Sequence, residues 1–334
     1  MEISWNKIIG HSAQKEQLRT MLQEGRLPHA LLFSGPDGIG KKMLGRLLAA
    51  AILCGSQDAP CGHCESCQAM RLDSHPDYYE VLPESRGKST KIIRIEQIRE
   101  MQTIASRYPI LSSGRVVLID EADHMNEAAA NSLLKTLEEP EGQVTFILIT
   151  SARSSLLDTI ISRCMPVAFG MLPRPEMKAA LMERQVPADD AAELAALADG
   201  SLGRAITLYD NGGLTLRNDA LVFLEQLKGM TMEDVWAQAR TKGDMDREKL
   251  MEWFLYLNML LRDMLVLYED GASPLLYHQD CRQRLAELLP GYPESQIFAM
   301  LSLVRETQRR LQANVNLRLQ MEGFFIRIMD CRKA

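Results

Sequence analysis

Eight consecutive residues constrain this chain more than any others: Gly35-Pro36-Asp37-Gly38-Ile39-Gly40-Lys41-Lys42. They follow an apolar run, Ala30-Leu31-Leu32-Phe33-Ser34, and lead into a stretch from Met43 to Cys54 that reads as a helix. A buried strand, a glycine-rich turn and a helix in that order make a phosphate-binding loop, spelled G-x-x-x-x-G-K-[ST]. Its glycines let successive backbone N–H groups face a phosphate chain. Its lysine reaches the outer phosphates, and its final hydroxyl holds Mg²⁺. Gly35, Gly38, Gly40 and Lys41 meet the first two needs, but Lys42 stands where the hydroxyl belongs. An ammonium about 4 Å from a divalent cation costs roughly 8 kcal/mol at an effective dielectric of about 20. The loop is therefore expected to accommodate ATP or ADP and to hydrolyse it poorly, because phosphoryl transfer relies on that metal ligand. A glycine turn with no ligand is the bland alternative.

The second half of such a site is also legible. Arg115-Val116-Val117-Leu118-Ile119 is an apolar strand ending in Asp120 and Glu121. In P-loop proteins the first acid supports Mg²⁺ and the second orients the attacking water; here both are expected to be vestigial. A strand end with a helix-capping aspartate is the plainer reading. Asn126 to Glu139 carries Ala128, Leu133, Leu134 and Leu137 at helical spacing and stops at Pro140. Val144 to Ser151 reads as another buried strand, with Thr150 and Ser151 at its polar end, and Tyr78–Leu82 as a further one. Strands alternating with helices predict an α/β domain with a mostly parallel sheet covered on both faces.

Four of the seven cysteines fall within fourteen residues: Cys54, Cys61, Cys64 and Cys67. Repeated C-x₂-C spacing lets thiolates converge on one tetrahedral Zn²⁺. Four sulfurs leave no open coordination position, so the zinc would be structural, stapling a short insertion (54–67) onto the end of the P-loop helix. A redox pair or an iron–sulfur cluster is the other reading, and His63 and His75 could substitute as ligands. Cys164, Cys281 and Cys331 are isolated and read as small core residues.

At 334 residues the chain has room for two or three domains. No apolar run approaches the roughly 18 residues of a membrane span. The first residues lack a secretion pattern, so a cytoplasmic protein is expected. The net charge of −6 argues against gripping nucleic acid by bulk electrostatics.

In this order, the motifs resemble those of the AAA+ clamp-loader ATPases. The resemblance rests on Ile8-Ile9-Gly10, Leu27-Pro28-His29-Ala30, the P-loop, the four-cysteine insertion and His75-Pro76-Asp77. It continues through Asp120-Glu121-Ala122-Asp123, Leu133 to Pro140, Ser162-Arg163-Cys164 and Asn314-Val315-Asn316. It implies that Ile8 and Ile9 pack the adenine and that Thr150 or Ser151 reads the γ-phosphate. It implies that Arg163 reaches into a neighbouring subunit's ATP site to steady charge on the γ-phosphate. Arg204, in Gly200-Ser201-Leu202-Gly203-Arg204, sits one residue beyond the second sensor arginine of the motor subunits' Gly-Ser-Leu-Arg spelling.

The expected architecture is an AAA+ nucleotide-binding domain over 1–170 and a small helical lid over 171–210. An all-α collar over 214–334 follows, after a flexible break at Asn211-Gly212-Gly213. The apolar stripes of Arg247 to Tyr268, Gln296 to Gln312 and Asn316 to Cys331 would build that collar. The expected role is a non-motor subunit, partnered by motor and delta subunits. It would help load the sliding clamp at primer–template DNA. An ATP-hydrolysing motor subunit is the nearest rival. A nucleotide kinase and a zinc-dependent DNA-binding module are the rivals of other classes.

Overall fold

The computed structural model describes residues 3–85, 91–312 and 316–331; Asn314 and Val315 lie outside them. The chain divides into two compact units. The first comprises Met1–Ala180 with Asp199–Gly203, and the second Leu181–Ala198 with Arg204–Ala334.

In the first unit five strands form one parallel sheet: β1 (Ala30–Ser34), β2 (Tyr78–Val81), β3 (Arg115–Ile119), β4 (Val144–Thr150) and β5 (Met165–Ala168). Their spatial order is β2-β3-β4-β1-β5. The helices are α1 (Ser12–Gln23), α2 (Lys41–Leu53), α3 (Glu65–Arg71), α4 (Ile95–Ala105), α5 (Glu127–Glu138) and α6 (Asp158–Ile161). Side chains alternate across a strand, and this sheet uses both faces. Leu31, Phe33, Val116, Leu118, Ile147 and Ile149 pack with Leu18 of α1 and Leu44 and Leu48 of α2. Ala30, Leu32, Val117, Ile119, Phe146 and Leu148 pack with Ile98 and Met101 of α4 and Leu133 and Leu137 of α5. The parallel sheet covered on both faces is thus present. The sequence reading did not name β5, a short segment containing Pro166. It pairs only with β1, and such an edge position tolerates a residue that cannot donate to the ladder.

Because β1 lies between β4 and β5, the carboxyl ends of β1, β3 and β4 gather at one rim, the usual place for a ligand in such sheets. The loop entering β3 is tied down by a buried ion pair. Asp77 accepts the amides of Ile110, Leu111 and Ser112 at 2.7–2.9 Å and faces Arg115 at 3.4 Å. Arg115 in turn donates to the carbonyls of Arg107, Tyr108 and Pro76. Burial works to raise the Asp77 pKa. The three amides and the guanidinium outweigh it and hold the carboxyl below its ordinary value. The stability it contributes is therefore present above the unfolded carboxylate pKa of about 3.9 and lost as pH falls through the lower folded value. Asp77→Ala, which strands Arg115 and three amides, is expected to lower stability by about 3–5 kcal/mol. Denaturant unfolding should record that loss at neutral pH, and at low pH the difference from the parent should narrow.

The second unit is helical. Its helices include α8 (Ala188–Leu197), α10 (Gly213–Gln226), α11 (Met232–Gly243) and α12 (Arg247–Glu269). They continue with α13 (Arg282–Leu288), α14 (Glu294–Gln312) and α15 (Leu317–Cys331). Two more helices, α7 (Arg174–Glu183) and α9 (Leu202–Asp210), each run from one unit into the other. The long helix α12 packs against α10 and α14, and α11 along α15. Phe223, Trp253, Phe254, Phe324 and Phe325 form its aromatic centre, mostly edge to face. The Asn211-Gly212-Gly213 break is short. Asn211 and Gly212 alone separate α9 from α10, with Gly212 in the left-handed region.

Candidate nucleotide site and cysteine cluster

The loop over 35–42 takes a backbone that its glycines make possible. Gly35, Gly38 and Gly40 take positive φ values of 154°, 72° and 100°. At Gly35 a Cβ would lie 2.4 Å from the Phe169 carbonyl oxygen. Gly40 caps α2, whose first amides receive no side-chain cap, leaving them directed at the rim. The cavity there measures about 410 Å³ and is lined by Gly38, Gly40, Lys41, Lys42, Asp120 and Thr150, among others. Ile8 is buried and Ile9 half-buried. Ile8 belongs to the same buried cluster as Ile39 of the loop.

Lys41 is buried and donates to the Gly35 and Pro36 carbonyls, both at 2.6 Å. Burial pulls its pKa below the ordinary value, with Asp37, Asp120 and Asp123 opposing. It must exchange those carbonyls for any phosphate it contacts.

Lys42 does not swing into solvent. Its ammonium sits 2.5 Å from Glu80 Oε1 and 3.1 Å from Asp120 Oδ2, bridging β2 and the end of β3. Burial alone would lower its pKa, but the two carboxylates outweigh that and raise it, so the bridge carries a full charge. Glu80 is oriented by the Tyr78 hydroxyl at 3.0 Å, and Asp120 Oδ1 accepts the Glu121 amide at 3.0 Å. Lys42 is thus paired with the very acid assigned to support Mg²⁺. Glu80 was missed in sequence. Its only signal is a carboxylate inside the strand Tyr78-Tyr79-Glu80-Val81.

Of the two polar candidates ending β4, Thr150 is fully buried and donates to Asp123 Oδ1 at 2.7 Å; the Ser151 amide reaches the same oxygen at 3.3 Å. Glu121 adopts the left-handed region at φ 49° and lines the cavity. The segment 199–203 lies against the loop itself. Ser201 donates its hydroxyl to the Asp37 carbonyl and Gly203 its amide to the Gly38 carbonyl, both at 2.7 Å. A Cβ on Gly203 would stand 2.9 Å from Gly38 Cα, so no side chain fits there. Gly203 occupies the place of the arginine in the Gly-Ser-Leu-Arg spelling, and Arg204 opens the second segment of the second unit. Arg163 lies apart from this cavity, just after α6. There it pairs with Glu138 and donates to the Thr159 carbonyl at 2.8 Å.

The four cysteines converge. Their Sγ atoms all lie within 4.8 Å of one another, with Cys54–Cys64 at 3.8 Å and Cys61–Cys67 at 4.0 Å. A tetrahedral site with Zn–S bonds of about 2.3 Å has sulfur–sulfur edges of about 3.8 Å, so the set fits such an ion. The Cys64 and Cys67 amides point at the sulfurs of Cys61 and Cys64, each at 3.4 Å. Backbone amides of His63 and Cys64 pull the Cys61 thiol down to about 6. Burial pushes Cys64 and Cys67 up. His75 is not available as a substitute ligand. Its Nδ1 accepts the Asp77 amide at 3.0 Å, which places the ring proton on Nε2, donated to Ser66 Oγ at 2.8 Å. Ser66 passes the chain of bonds to the Leu53 carbonyl at the end of α2. His63 is turned to the Cys61 carbonyl through Nδ1 at 2.9 Å.

A family model described as DNA polymerase III, delta subunit, matches residues 10–173. The DNA polymerase III subunit delta' of Pseudomonas aeruginosa is 32% identical over 307 residues, 89% of this chain and 90% of that protein. The DNA polymerase III subunit tau/gamma of Haemophilus influenzae is 34% identical over 211 residues, 61% of this chain and 30% of its own length. Among solved structures, a DNA polymerase III gamma subunit-related protein of Thermotoga maritima aligns with a TM-score of 0.44 at 16% identity. That alignment covers 95% of this chain and 99% of the other. Among the described residues, no helix is long and apolar enough to cross a membrane.

Proposed function

The chain belongs to the family of the DNA polymerase III subunit delta', and on that premise we propose that it is a non-motor subunit of the clamp loader. It works in the cytoplasm, assembled with motor subunits and a delta subunit. Through that complex it serves the loading of a sliding clamp at primer–template DNA. The observation that carries this reading is the Lys42 bridge between Glu80 and Asp120. A divalent cation, when bound in such a site, neutralises charge growing on the transferred phosphoryl group. Here a tethered ammonium already holds the acid that would support it. Nucleotide cradled by Lys41, the loop amides, Ile8, Ile9 and Thr150 therefore stays intact, with Asp120 and Glu121 vestigial. Gly203 supports the same reading, because it leaves no room for an arginine at that place, and Arg204 follows one residue later.

Arg163 is the residue this subunit lends. It leaves Glu138 to enter the ATP site of an adjoining motor subunit. Cys54, Cys61, Cys64 and Cys67 hold a structural Zn²⁺ with no position open to substrate. Residues 1–170, 171–210 and 214–334 act as nucleotide-binding domain, lid and collar. The motor reading draws on the 34% identity to tau/gamma; the pairing of Lys42 with Asp120 favours the non-motor one. Assembly is the test. The purified chain is expected to co-elute with motor and delta subunits of the same organism as one complex. Elution as a separate species at every concentration would contradict the proposal.

A further inference from the structure

A phosphate-binding loop and a divalent cation are ordinarily coupled, because the cation neutralises acids that would otherwise repel the polyanion. Two acids meet at Lys42, and each has one oxygen already engaged: Glu80 Oε2 with the Tyr78 hydroxyl, and Asp120 Oδ1 with the Glu121 amide. The Asp120 backbone is fixed as well, its amide bonded to the Val81 carbonyl at 3.0 Å. The oxygens left over, Glu80 Oε1 and Asp120 Oδ2, face one cation, and that cation is Lys42 Nζ. A Mg²⁺ ion binds carboxylate oxygen at about 2.0–2.1 Å in near-ideal octahedral geometry. It could not do so at Asp120 Oδ2 without displacing an ammonium 3.1 Å away from the same atom. The first amides of α2 carry no side-chain cap, and Lys41, once it exchanges the Gly35 and Pro36 carbonyls, can join them on a phosphate chain.

We propose that this cavity binds nucleoside di- and triphosphates without a divalent cation, Lys42 standing as the resident counter-ion of Glu80 and Asp120. The inference rests on the reading that the P-loop holds nucleotide. Coupling between two ligands is reciprocal, so a site that has no place for Mg²⁺ gains no nucleotide affinity from it. Lys42→Thr, which supplies the missing hydroxyl and uncovers both acids, should create the dependence that the parent lacks.

The test is titration of the full-length chain with fluorescent ADP and ATP, in millimolar Mg²⁺ and in buffer from which Mg²⁺ is omitted. A chelator is avoided because it would attack the cysteine cluster. The expected result in the parent is a dissociation constant that Mg²⁺ does not tighten by as much as about twofold, and that weakens for ATP to the extent that Mg²⁺ holds it in solution. In Lys42→Thr the same addition should tighten binding by about tenfold or more. Tightening of that size in the parent would overturn the inference and leave nucleotide binding standing. No binding in either buffer would overturn both, with family membership untouched. A Lys42→Thr chain that binds without regard to Mg²⁺ would remove Lys42 from the explanation. Should that variant fail to fold, the parent's response to Mg²⁺ decides alone.

Discussion

Removing the metal from the cysteine cluster, or changing Cys64 to serine, is expected to unfold the segment between α2 and β2 and to lower the melting temperature sharply. Cys64 caps α3 and takes part in the sulfur cluster, and Cys54 ends α2. Ser66 donates to the Leu53 carbonyl, so the insertion helps hold the last turn of the helix α2; Ser112, from the loop before β3, donates to the same carbonyl. Structural zinc contributes about 10–16 kcal/mol in isolated zinc-finger peptides. Whole domains are stable by only about 5–15 kcal/mol. Even a fraction of that metal contribution, lost here, would dominate the stability of the first unit. Elemental analysis should find about one zinc per chain before treatment, and calorimetry should record the drop in melting temperature after it. A chain purified without metal that melts where the metal-loaded chain does would remove zinc from the account.

Arg163→Ala is expected to leave the chain folded and assembled while cutting ATP turnover at the motor site it faces by about a thousandfold. Among the described residues Arg163 meets the partly exposed Glu138 carboxylate, the Thr159 carbonyl and, at 3.5 Å, the Ser162 hydroxyl. Such an ion pair contributes about 1 kcal/mol or less, so the fold does not depend on it. An arginine delivered to a γ-phosphate is a different matter, since it stabilises charge that develops only in the transition state. Arg163→Lys should rescue little, because a point charge lacks the planar fork. Glu138→Ala supplies the contrast: it frees Arg163 without removing it and should not lower turnover. The assay is steady-state hydrolysis by the reconstituted complex with DNA and clamp. Unchanged turnover in Arg163→Ala would end the trans role.

What could be read from the sequence was local. The glycine-rich loop and the C-x₂-C cluster are fixed-spacing devices whose partners lie a few residues apart, and the four sulfurs converge as their spacing implies. Lys42 was conspicuous in sequence for what it excluded, not for what it held. Its partner Glu80 lies 38 positions on. The two meet because β2 runs beside β3, which periodicity alone cannot reveal. The same holds for Gly203 on Gly38, a contact set by backbone proximity across 165 positions and marked in sequence only by one glycine among 21. His75 looked like a spare metal ligand because a histidine near cysteines carries that chemistry. Its ring instead completes a relay from the Asp77 amide to the Leu53 carbonyl. Of Thr150 and Ser151, only packing distinguishes the buried hydroxyl. The stripes in the second unit were legible as helices, whereas the pairing of α11 with α15 was not.

Lys42 is expected to make this loop a holder of nucleotide and not a motor. The direct measurement is ATP hydrolysis by the purified full-length chain alone, run beside Lys41→Ala as the background control. The expected result is phosphate release no faster than that control, with Mg²⁺ present and at saturating ATP. Sustained turnover by the parent chain that Lys41→Ala abolishes would contradict it.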